Sequence, residues 1–154
     1  MNTKNPSEPL RVGVLPLARP TFDVPYAEQI CKDAWKLIEQ IPVDWIGSSD
    51  LLFDTKSVES QLSKFKKEHL DLLLILQMTF TDASMTVKLA ETFDVPLLFW
   101  SFPEKRTGGR LRLNSLCGVN LAAHALGKSG IQCDYLNLNP QDPETQDELA
   151  SWIR

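Results

Sequence analysis

The chain is short of the residues that most often announce chemistry. Its 154 residues include two histidines and three cysteines, and neither type falls into a nucleophile or ligand spacing. Cys31, Cys117 and Cys133 are odd in number and far apart, with no CxxC or Cys/His pattern. This argues against a disulfide framework and a structural zinc. No apolar run reaches the roughly 18 residues of a membrane span. The start, MNTKNPSEPL, is polar and lacks the apolar core of a secretory signal. The expectation is a cytoplasmic protein with reduced thiols that does not engage a membrane.

Glycine is missing where cofactor-binding turns need it. The stretch VGVLPLARP has one glycine, Gly13, placed inside a strand pattern rather than in the turn after it. A dinucleotide pyrophosphate needs close backbone approach at that turn, so a nicotinamide enzyme is disfavoured. No GxxxxGK[ST] occurs, which removes a P-loop. A flavodoxin-type FMN carrier needs a phosphate-cradling loop there, and LARPTFD is poorly suited. The first strand ends without an acidic pair and the central one without an Asp, against a phospho-accepting receiver. A formal net charge of -4 argues against general nucleic-acid binding.

What is present is an ordinary globular composition, 43% hydrophobic and 23% charged, which rules out a disordered chain. Leu72–Leu76 is an unbroken apolar run, as expected of a parallel strand covered on both faces. Around it the chain alternates strands and helices. Residues 1–9 are expected to be a disordered leader and residues 10–154 one α/β domain, the N-terminal part of a longer protein. Strands are expected at Arg11–Leu17, Val43–Ile46, the central run, Val95–Phe102 and Gln132–Leu138. A helix starting at Pro25 and ended by Pro42 buries Tyr26, Ile30, Ala34, Leu37, Ile38 and Ile41. Others cover Ser57–Glu68, Ala83–Phe93 with Ala83, Val87 and Ala90 inward, and a stretch from Asn114 or Ser115 to Gly130. In that stretch Leu116, Val119, Ala123 and Leu126 share a face. A last helix follows Pro143. Alternation of this kind predicts right-handed crossovers between parallel strands. The fold class is a three-layer, doubly wound α/β sheet of five strands in the flavodoxin-like order 2-1-3-4-5.

Ligands of such sheets bind at the carboxyl ends of the strands. There the central run gives way to Gln77, Thr79, Thr81 and Asp82, neutral donors and acceptors suited to a polyhydroxylated ligand. Thr81 or Asp82 equally serves as a helix cap. The second candidate is the loop and helix start from Trp100 to Gly118, with Gly108, Gly109, Arg110 and Asn114. It can hold an anion or a cluster of hydroxyls at a helix N-terminus, and Trp100 can face a sugar ring. His69 reads as a charge favouring a helix C-terminus, and His124 as a structural group beside a buried helix face. Cys117 reads as a small buried packing residue, or as a thiol made acidic by a helix start.

The series ILQMTFTD, VPLLFWSFPE and LNSLCGVNLAAHALGKSG, with a glycine loop between the last two, resembles the N-terminal domain of the L-fucose/L-arabinose isomerase family. It is most similar to the fucose-isomerase-like branch, over Val12–Pro140. The resemblance implies an aldose–ketose isomerase for a small sugar, working through a divalent metal, usually manganese, and an ene-diol. The family's metal ligands sit in later domains, and none is carried over here. It further implies a homo-oligomer in which this domain joins the rest of its own polypeptide and helps close a neighbouring subunit's active site. The matching strand-end positions are Arg19, Gln77, Thr79, Trp100, Arg110 and Asn114. The arabinose branch's Gly-Ser-Gln turn is replaced by Leu17-Ala18-Arg19-Pro20, a departure from an arabinose-type substrate. The alternative class is a stand-alone sugar- or nucleotide-binding module without catalysis.

Overall fold

A computed structural model describes residues 5 and 7–154. The leader expected over 1–9 lies largely outside the described residues. The elements are β1 (Arg11–Leu17), α1 (Val24–Ile38), β2 (Asp44–Gly47), α2 (Thr55–Phe65) and β3 (Leu72–Gln77). They continue as α3 (Ser84–Thr92), β4 (Leu97–Ser101), α4 (Ser115–Lys128), β5 (Asp134–Asn137) and α5 (Thr145–Ile153). All neighbouring strands are parallel, in the order β2-β1-β3-β4-β5.

The unbroken run in β3 is explained by two cores, one on each face of the sheet. Side chains alternate faces along a strand. Leu72, Leu74 and Leu76 join Val12, Val14, Leu98 and Trp100 in a cluster against Ile30, Ala34 and Ile38 of α1 and Leu149 and Ile153 of α5. Leu73 and Ile75 join Leu15, Leu17 and Phe99 against Val58, Leu62 and Phe65 of α2, Leu89 of α3 and Val119 of α4. No side of β3 meets water, so neither side selects polar residues.

Helix ends follow local chemistry. The Asp23 carboxylate accepts from the Tyr26 N–H at 3.1 Å, with Pro25 in the first turn of α1. Asp54 and Ser57 form a reciprocal capping box on α2. Gly130, at φ 71°, stops α4 in the left-handed region. The α1 helix ends at Ile38 rather than at Pro42, because Gln40 and Ile41 turn to short bonds onto Leu37 and Ile38. A residue preceding proline avoids helical backbone angles. Likewise α2 stops at Phe65, with Lys67 and Glu68 bonded three residues back. Strand β5 is shorter than expected, since it pairs only with Leu98–Ser101 of β4.

Two helical faces differ from the sequence reading. In α3 the buried residues are Met85, Thr86 and Leu89, with Val87 and Ala90 only half-buried. In α4 the buried face is Ser115, Gly118, Val119, Ala122 and Leu126. Leu116 is exposed and Ala123 half-buried. Both helices carry apolar residues at neighbouring angles, so packing against the sheet selects the face.

Candidate functional site

The carboxyl ends of β1, β3 and β4 are tied to one another by hydrogen bonds from loop to loop. The Arg19 N–H donates to Thr79 Oγ1 at 2.7 Å, and Thr79 Oγ1 donates to the Phe80 carbonyl at 3.0 Å. The Phe80 N–H in turn donates to the Leu113 carbonyl at 2.8 Å. Ser115 Oγ donates to the Gln77 carbonyl and accepts from the Phe102 N–H at 3.0 Å, joining β3, β4 and the start of α4. This stitching holds loops distant in sequence on one rim.

The segment after β4, residues 103–113, is anchored at its base. Its one carboxylate, Glu104, accepts from the Arg112 N–H at 2.9 Å and the Leu113 N–H at 2.7 Å. Arg112 reaches back to Asp23 at 2.8 Å and lies 3.8 Å from the Tyr26 ring centroid. Lys105 also stands over that ring, at 5.0 Å. The Arg112 guanidinium, helped by the Tyr26 N–H, holds the Asp23 carboxyl below the usual carboxylate range. At the tip, Gly108 and Gly109 take φ of 75° and 79°, a reversal that side chains resist.

On the opposite flank Arg19 pairs with Asp82 at 2.7 Å and lies 5.5 Å from the Phe80 ring centroid. Asp82 also accepts from the Ser84 hydroxyl and N–H. The Ser84 hydroxyl first, then Arg19, lowers its pKa. Asp82 thus caps the first turn of α3, as the sequence allowed.

Two clefts open on this rim. One, about 280 Å³, is lined by Thr21, Phe22, Asp23, Arg110, Leu111 and Arg112. The other, about 320 Å³, runs from Phe102 and Arg106 past Leu111 to Asn114, Cys117 and Asn137. A larger cavity of about 610 Å³ lies at the opposite end of the sheet, between Pro96, Ala123, Asp134 and Trp152. That is the amino end of β4 and β5, where parallel sheets do not place ligands. The rim is therefore the candidate site.

The six strand-end positions separate into two groups. Arg19, Arg110 and Asn114 reach the rim surface, half-buried or exposed. Gln77, Thr79 and Trp100 do not: each is fully buried. Gln77 Nε2 donates to the Thr79 carbonyl at 2.8 Å and to Thr81 Oγ1 at 3.0 Å. Trp100 stacks on Phe102 with centroids 5.0 Å apart, and its Nε1–H donates to the Leu138 carbonyl at 2.9 Å. The reading of Trp100 as a platform for a sugar ring is corrected: its ring is spent on the core. Asn114 takes the N-cap position of α4 in the left-handed conformation, φ 52°, but its side chain makes no capping bond.

Neither histidine reaches the rim. His69 is exposed four residues past the end of α2, 4.0 Å from Asp71 at the amino end of β3, so its expected role at that helix terminus is corrected. His124 is exposed in mid-α4. Cys117 is exposed too, against its reading as a buried packing residue. The sequence reading missed Asp23, Tyr26, Glu104 and Arg112 as organisers of the rim. The one usable signal was Glu104, the sole acid in a loop of four cations. The site thus offers exposed hydrogen-bond donors and engaged carboxylates, chemistry for binding and orienting rather than for proton abstraction.

The chain is 29% identical over 139 residues to the sulfoquinovose isomerase of Priestia megaterium (strain ATCC 12872 / QMB1551), covering 90% of this chain and 31% of that protein. It is 28% identical over 145 residues to the sulfoquinovose isomerase of Alkalicoccus urumqiensis, covering 94% and 32%. The chain therefore spans about a third of the length of these curated relatives. A chain from the crystal structure of the lac repressor dimer bound to operator and the anti-inducer ONPF aligns at a TM-score of 0.45 and 12% identity. The alignment covers 84% of this chain and 56% of that one; at that distance it carries no argument. Residues 13–154 match the family model of the fucose/sulfoquinovose isomerase N-terminal domain, and the chain belongs to that family.

Proposed function

We propose that this chain is the N-terminal domain of a cytoplasmic aldose–ketose isomerase acting on a small sugar. In a homo-oligomer it binds that sugar and closes the active site of a neighbouring subunit, with the chemistry completed by residues outside it. The observation that carries the reading is the family match across residues 13–154. The rim adds support from geometry. Arg19, Arg110 and Asn114 present donors to hydroxyls, while the stitched loops hold them in fixed relation. Holding a substrate in a reactive pose and excluding water is a large share of catalysis by itself.

The resemblance implies a divalent metal, usually manganese, for the whole enzyme. Among the described residues no group of three or more His, Cys, Asp or Glu side chains is placed to hold a metal ion. In this proposal the metal belongs to the remainder of the enzyme, and this chain contributes binding and orientation. A stand-alone sugar- or nucleotide-binding module is the second reading. It is favoured by the rim itself, where Asp23, Asp82 and Glu104 are all engaged by hydrogen bonds.

The test is an isomerase assay on the full-length protein with manganese, across neutral, phosphorylated and sulfonated aldoses. Ketose formation abolished by a chelator supports the isomerase. No ketose from any sugar, with sugar binding retained, supports the binding module.

A further inference from the structure

The α4 helix lacks the charged outer face that its neighbours have. Its sequence, SLCGVNLAAHALGK, holds no charged residue before Lys128, whereas α1, α2, α3 and α5 each carry two or more. A helix that meets water on one side is normally amphipathic, and one without a charged side is normally covered there as well. Leu116, Asn120, Ala123 and Gly127 follow one another at helical spacing as an exposed to half-buried row. The row runs beside β5: Leu116 shares a cleft with Asn137, and Ala123 shares the groove of about 610 Å³ with Cys133, Asp134 and Trp152. Between these points Tyr135 is 57% exposed. It is in register with Phe99 and so lies on the α4 face of the sheet.

Among the described residues β5 pairs with β4 alone, which leaves its outer edge as a row of open backbone groups. An uncharged surface joined to an open strand edge marks an interface. Two observations identify what covers it. A second copy meeting this edge about a two-fold axis would set each group near its own counterpart. Asp147 and Glu148 of α5 line the cleft of about 420 Å³ on the other side of Leu136, so such a copy would oppose like charges. The chain, however, covers only 31% and 32% of its curated relatives, and the family model it matches is that of an N-terminal domain. In proteins of that length the polypeptide continues beyond the matched third. Trp152, near the end of α5, lines both clefts, so a continuing chain starts beside them. Gln132 and Asp134 make the groove partly polar, as contacts between domains of one chain are.

We propose that the polypeptide following residue 154 docks on this face of its own subunit, covering the β5 edge, Tyr135 and the groove between Ala123 and Trp152. The rim stays open, because the groove lies at the opposite end of β4 and β5. The inference rests on the family match and not on the sugar-isomerase reading, so loss of the one leaves the other standing.

The test is photo-crosslinking of the full-length protein carrying Tyr135→p-benzoylphenylalanine, an aromatic exchange at a mostly exposed position. Illumination should join position 135 to residues beyond 154 while the mass of the denatured chain stays that of one polypeptide. A product of two chains, or products confined to residues 5–154, overturns the proposal, as does the absence of any product. Hydrogen exchange of the unmodified full-length protein gives a second reading that needs no substitution. The amides of β5 that β4 leaves unpaired should exchange at least about tenfold more slowly than exposed loop amides, as for groups reached only by local opening. Exchange at the loop rate would mean that the edge is bare in solution and overturns the proposal.

Discussion

Gly118 of α4 lies directly on the Gln77 side chain. A Cβ placed on Gly118 would stand 2.9 Å from Gln77 Nε2 and 3.1 Å from its Cδ. Gln77 cannot move aside freely, because its Nε2 is bonded to both the Thr79 carbonyl and Thr81 Oγ1. This contact adds to the Ser115 hydrogen bonds that join the helix start to the end of the central strand.

Gly118→Ala is therefore expected to destabilise the fold by about 1–3 kcal/mol, the range for overpacking a filled site. In a Gln77→Ala background the same change should cost clearly less, since the obstructing amide is gone. Denaturant unfolding of the four proteins measures the coupling. Strict additivity would show that the contact does not constrain α4.

The Gln77–Gly118 contact also marks how far the sequence could be read. Strand order was legible because Leu72–Leu76 leaves no wet face and because strands and helices alternate around it. The facing of residues within a strand covered on both sides was not legible: apolar patterning is the same on either face. Trp100 was therefore read toward a ligand although it packs into the core beside Leu98. Gln77 and Thr79 looked like binding groups because burial at a strand end cannot be told from exposure by residue type. The Asp23–Arg112 tie spans 89 positions, and no local pattern reveals such a pair. Arg19, Arg110 and Asn114 reach the surface because turns at strand ends are exposed in any such sheet.

Acid should weaken the rim in a defined window. Asp23 and Asp82 have pKa values lowered by their partners, Arg112 first for Asp23 and Ser84 first for Asp82. A carboxylate with a depressed folded-state pKa contributes stability that is fully present above its unfolded value, about 3.9. That contribution is lost as the pH falls from there through the folded value. Asp23→Asn should accordingly have a lower Tm than the wild type at neutral pH, with the gap closing below about pH 4. A gap that stays constant down to acid would mean that the Arg112 pair adds nothing to the fold.

The three thiols should react in sequence. Cys117 is exposed, Cys133 half-buried and Cys31 buried. Burial pushes the Cys31 thiol up to about 12 and raises that of Cys133, and the thiolate is the reactive form. An aromatic disulfide reagent at neutral pH should modify Cys117 first, Cys133 more slowly and Cys31 only on unfolding. Peptide mapping of the labelled protein gives the order, and early labelling of Cys31 would contradict the packing of α1 on the sheet.

The central claim is that this domain's rim takes part in turning over a sugar, and Arg19 tests it most directly. Its guanidinium is partly exposed beside Phe80 and Asp82. In the full-length protein supplied with manganese, aldose-to-ketose conversion should be followed for the wild type and for Arg19→Ala. A fall in kcat/KM of about tenfold or more, with Tm little changed, is the expected result for loss of a charged hydrogen-bonding group at the site. Conversion at the wild-type rate would place the sugar elsewhere and contradict the account.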